Sequence, residues 1–62
     1  MKAQEGTTLC QDVDGCYWMH HKGINAEING TYVYTNLESV KEAIESIGLK
    51  IGMYYELVPA KE

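Results

Sequence analysis

The stretch Asp12-Val13-Asp14-Gly15, running into Cys16-Tyr17-Trp18-Met19-His20-His21-Lys22-Gly23, constrains this chain more than any other. Asp-x-Asp-Gly suits a type I turn whose last residue takes positive φ, a conformation that glycine adopts without steric cost. The bulky run after it has the composition of a strand that packs on something. Thr7 to Gln11 supplies the other arm of a hairpin. With Gly15 as the bulge residue of a three-residue loop, Leu9 is expected opposite Met19 and Cys10 opposite Trp18. Leu9, Tyr17 and Met19 then share one face, and Cys10, Trp18 and His20 the other.

Residues 1–6 are polar and read as a frayed tail, as do residues 60–62. Gly23 interrupts the second strand and marks a bulge or bend. Ile24 to Ile28 resumes extended character, and Asn29-Gly30 is a strong two-residue hairpin signal. Thr31 to Thr35 follows, with Ala26 expected to face Val33 and Glu27 to face Tyr32. Thr35-Asn36-Leu37-Glu38 reads as a capping box with Thr35 as the cap. Leu37, Val40, Ala43, Ile44 and Ile47 form an apolar stripe at helical spacing, and Gly48 stands where a left-handed cap belongs. Leu49 to Val58 alternates and reads as one closing strand, ended by Pro59. The expected fold is α+β: one domain, residues 1–62, with a small antiparallel sheet in the order β-β-β-α-β and one helix on one face. A single helix leaves the other face open, with Trp18, Tyr34 or Tyr54 on it, which calls for a partner.

At 62 residues the chain is short. Such a chain buries only ~60% of the surface that its unfolded form exposes. That size argues against an enzyme and for a disulfide, a metal or a second subunit. Nine Asp and Glu stand against five Lys, with no Arg, for a net charge of −4. The acidic balance and the missing arginine argue against direct nucleic-acid binding. They suit a protein that docks on a basic surface. No apolar run has the length of a signal peptide or a membrane span, so the expectation is a cytoplasmic protein with reduced cysteines and no cofactor. Cys10, Cys16, His20 and His21 could bind zinc, but they lack finger or ribbon spacing, and adjacent histidines on a strand face opposite ways. A Cys10–Cys16 bridge needs directly opposed residues, which no tight register provides.

Gln11-Asp12-x-Asp14-Gly15, the aromatic strand ending in His21-Lys22-Gly23, and Leu49-Lys50-Ile51-Gly52-Met53 near the end cover about half of the chain. Together they resemble the small uracil-DNA glycosylase inhibitors of protein-primed Bacillus podophages. The resemblance implies a homodimeric DNA mimic. Such a protein occludes the enzyme's DNA groove and sequesters the apolar side chain that the enzyme wedges into the duplex. Covering that wedge blocks a base-flipping enzyme without touching its chemistry. With the closing strands aligned, the family's helical contacts, an aromatic followed by Glu and later a tyrosine, fall on Leu37, Glu38 and Lys41. The chain departs from the family by a second hairpin, Asn25 to Thr35, whose Tyr32 and Tyr34 are expected to take over part of the aromatic role. The rival expectations are an interaction protein directed at another host target and a zinc-stabilised regulatory module.

Overall fold

The computed structural model describes residues 1–60. Strand β1 (Thr8–Gln11) and strand β2 (Tyr17–His21) form the first hairpin. The side chain of Asp12 builds its turn: Oδ1 accepts from the amides of Asp14 at 2.9 Å and Cys16 at 3.0 Å. Gly15 closes the loop at φ +86° and donates to the Asp12 carbonyl. The register is the expected one, Leu9 facing Met19 and Cys10 facing Trp18.

The far edge of β2 carries two short strands end to end. Strand β3 (Ile24–Ala26) places Ala26 opposite Met19, and strand β4 (Val33–Tyr34) places Val33 opposite Trp18. Gly23 marks the expected bend and not a bulge: with Lys22, also at positive φ, it closes a two-residue turn from His21 to Ile24. Because Met19 and Trp18 are neighbours, the six residues 27–32 are extruded from the sheet. Their tip is the Asn29-Gly30 turn, both residues left-handed, with reciprocal 3.0 Å bonds between Ile28 and Thr31. The turn therefore forms, but Ala26 does not face Val33, nor Glu27 Tyr32. β2 takes the pairing positions of both arms, and Ile28 turns into the core. Tyr34 holds the loop by donating from its hydroxyl to the Ile28 carbonyl at 2.7 Å.

Residues 1–6 are not frayed. The freed backbone of Glu27 bonds the Met1 carbonyl and the Ala3 amide, and Gly6 donates to Leu57. Thr7 is fully buried. Ala60 donates to the Gly48 carbonyl, while residues 61 and 62, expected to fray with it, lie outside the described residues.

Helix α1 (Leu37–Ser46) starts one residue later than the capping box implied. Asn36 is the N-cap, its Oδ1 accepting from the Ser39 amide at 2.8 Å. Asn is among the strongest caps, and here it displaces Thr35. Val40, Ala43 and Ile44 are buried, whereas Leu37 and Ile47, at the ends of the stripe, are more than a third exposed. Gly48 ends the helix at φ +80°. No described helix is long and apolar enough to cross a membrane.

The closing segment is a hairpin and not one strand. β5 (Leu49–Ile51) pairs with β6 (Leu57–Pro59), Ile51 opposite Leu57. Tyr54 and Tyr55 between them take φ of +57° and +62°. β6 also reaches the first sheet: Leu57 donates to the Thr7 carbonyl at 2.7 Å, and Glu56 faces Thr8. The fold remains α+β, with the core filled by Leu9, Met19, Ala26, Ile28, Val40, Ile44 and Leu57 between the first sheet, the helix and the hairpin.

Two outcomes test these placements. A Cβ on Gly52 would stand 3.0 Å from both methyls of Val58 and 3.3 Å from the Glu56 carbonyl. Gly52→Ala is expected to cost about 1–3 kcal/mol in chemical denaturation, and Val58→Ala in the same chain to recover part of it. Burial raises the Tyr34 hydroxyl above its ordinary 10.0, with Thr31 acting the other way. Its neutral form is the one the fold holds. Its contribution is thus intact below pH 10 and lost as pH climbs from there through the raised value. Tyr34→Phe removes one of the two bonds to the Ile28 carbonyl and leaves the one from the Thr31 amide, and should cost about 0.5–1 kcal/mol at neutral pH. The gap between wild type and variant should narrow above pH 10.

Candidate protein-binding groove

A groove of about 510 Å³ opens between the first hairpin, the start of the helix and the closing hairpin. β1 contributes Leu9, Cys10 and Gln11, and β2 contributes Tyr17. Leu37 and Lys41, one helical turn apart, form a second wall, and Ile51 with Tyr55 a third. Gln11 donates from its side chain to the Tyr17 hydroxyl at 3.2 Å, which fixes that ring at one end. Among the described residues, Lys41 is the one charged residue of the lining. Such a site, apolar with few polar groups, suits an inserted apolar side chain more than a polar metabolite.

The turn over the groove is strained. Successive non-glycine residues in the left-handed region cost about 1–2 kcal/mol each. Tyr54 and Tyr55 pay this while Met53 and Tyr54 stay 80% and 90% exposed. Three large side chains thus stand in solvent beside an apolar cleft, as at a surface that meets another molecule.

Of the residues expected from the sequence to bind a partner, Leu37 and Lys41 come together in the groove wall. Glu38, in the first helical turn beside Leu37, is exposed just outside it, with Glu42 and Glu45 further along. Tyr32 and Tyr34 are not in the lining. Tyr32 is exposed on the extruded loop, where hydrogen bonding to Glu27, then that residue's charge, raises its hydroxyl. Tyr34 spends its hydroxyl on the Ile28 carbonyl. Sequence reasoning missed Ile51 and Tyr55 because both were assigned to one straight strand. Asp12 is committed to its own turn.

The ligand set of the zinc rival is split. His21 is buried on the core side, its Nε2 accepting from the Gln4 amide nitrogen at 3.2 Å and its Nδ1 3.5 Å from Thr7 Oγ1. A proton on Nδ1 satisfies both contacts. Cys10 and Cys16 are free thiols, and no three His, Cys, Asp or Glu side chains gather into a metal site among the described residues.

No protein-family model, curated protein or solved structure matches this chain.

The strain is directly measurable. Tyr54→Gly should stabilise the domain by about 1 kcal/mol, since the exposed ring gives up little packing. Tyr54→Val should destabilise it by a similar amount, because a β-branched residue tolerates positive φ least. Urea midpoints at constant m-value separate the two.

Proposed function

We propose that this protein is an inhibitor that acts by binding another protein, and specifically a DNA mimic directed at a uracil-DNA glycosylase. It seats the enzyme's DNA-wedging side chain in the groove beside Leu37. It sets Glu38, and behind it Glu42 and Glu45, against the cationic groups that otherwise bind phosphates. The observation that carries this reading is the apolar groove at the helix start, where the resemblance puts the family's enzyme contacts. The net charge of −4 supports attraction to a DNA-binding surface. In the resemblance the pocket lies between subunits, whereas this groove is walled by one chain. A homodimer is therefore proposed for the added burial that a short chain needs, and not as the source of the pocket. The protein is read as having no catalytic activity, cofactor or nucleic-acid ligand of its own, and as acting in the host cytoplasm.

The test is a glycosylase assay on uracil-containing DNA with stoichiometric protein. Inhibition is expected, weakened roughly tenfold or more, about 1.4 kcal/mol, by Leu37→Ala with Glu38→Ala. Undiminished glycosylase activity at saturating protein rejects the reading.

A further inference from the structure

Leu9 and Cys10 point to opposite faces of the sheet, yet both line the groove. A cleft touches both only if it runs along the edge of β1. The bonding pattern shows which edge. Asp12 donates to Cys16, so Thr8, Cys10 and Asp12 direct their peptide groups at β2, and Thr7, Leu9 and Gln11 direct theirs outward. The outward carbonyl of Thr7 is taken by Leu57, and Glu56 faces Thr8. Continued in that register, Tyr55, Tyr54 and Met53 would face Leu9, Cys10 and Gln11. The Thr8–Glu56 bridge still sets the Tyr55 carbonyl toward the Leu9 amide, and beyond it the left-handed turn at Tyr54 and Tyr55 takes Tyr54 and Met53 off that register. Among the described residues, nothing in the backbone meets the amide or carbonyl of Gln11.

We infer that the vacated edge of β1 is a docking edge for an extended segment of a partner protein, which adds to the sheet as a strand. The segment sets a bulky apolar side chain in the groove against Leu37 and an acidic one against Lys41. Main-chain bonds to an open edge with alternate side chains in pockets are an established mode of peptide recognition. Charge selects the second side chain, since Lys41 is the only charged group that the groove offers among the described residues. Spacing agrees: Leu37 and Lys41 are about 6 Å apart along the helix. Side chains two residues apart on a strand are about 6.8 Å apart. The inference rests on the groove being the binding site, as in the reading above, and describes the shape of what enters it.

The experiment titrates the isotopically labelled protein with two blocked pentapeptides, acetyl-Thr-Phe-Thr-Asp-Thr-amide and the same with Phe and Asp exchanged. At least one is expected to shift the Gln11 amide and slow its hydrogen exchange by about tenfold. N-methylation of alternate peptide nitrogens of that probe should abolish binding, and N-methylation of the intervening ones should spare it. Gln11→Pro removes an outward donor without touching the ladder to β2, so it should abolish binding with the hairpin intact. No shift at Leu9 to Gln11 with either probe overturns the inference. So does binding indifferent to N-methylation, which would mean capture by side chain alone. No glycosylase is used, so peptide binding without enzyme inhibition upholds this edge and rejects only the target.

Discussion

The fold depends on β2 being paired along both edges. Met19, fully buried, lies in a row with Leu9 on one side and Ala26 on the other. That row is the floor onto which Val40 and Ile44 of the helix descend. A two-stranded hairpin is marginal in water, and a third strand with a covered face is the least that holds alone. The chain reaches that minimum with two fragments, β3 and β4, sharing one edge of β2. The break between them lets Ile28 enter the core and leaves Glu27 to bind the N-terminal segment.

What could be read from the sequence was whatever local chemistry decides. The Asp12 turn, the Leu9–Met19 register, the Asn29-Gly30 turn and the helix between Asn36 and Gly48 each rest on residues close in the chain. The misses rest on long-range competition. Asn29-Gly30 specifies a turn but not how far its arms stay paired, and β2 outcompeted them. The polar N-terminus gave no sign that an extruded peptide would need its backbone. The alternation from Leu49 to Val58 is real, but period two is the same in a straight strand and in the two arms of a hairpin. Only the crowding of Gly52 against Val58 hints at the fold-back, and that is visible in three dimensions alone.

The candidate site divides along the same line. Leu37 and Lys41 are one helical turn apart, and helical spacing alone puts them on one wall. Tyr32 and Tyr34 looked like interface residues by composition. Yet a tyrosine near a loop that must be held has a competing use for its hydroxyl, and Tyr34 serves Ile28. Tyr55 enters the site only because of a backbone conformation that tyrosine disfavours, which no propensity would predict.

The strained turn and the open edge of β1 are one feature seen from two sides. Had the segment from Leu49 to Val58 run straight, as its alternation suggests, residues 53–55 would have continued the pairing that Glu56 and Leu57 begin. The edge would be closed, and the cleft between Leu37, Ile51 and Tyr17 would have no mouth along β1. The fold instead leaves the outward amide and carbonyl of Gln11 without a backbone partner among the described residues and holds two tyrosines in the left-handed region. Both are unfavourable for a short domain with little stability to spare. Local departures of this kind persist where the surroundings impose them, and they gather at sites that engage something else. The turn that exposes Met53, Tyr54 and Tyr55 also vacates the edge beside them. A segment that settled on β1 would restore the missing strand pairing and lie within reach of the displaced side chains.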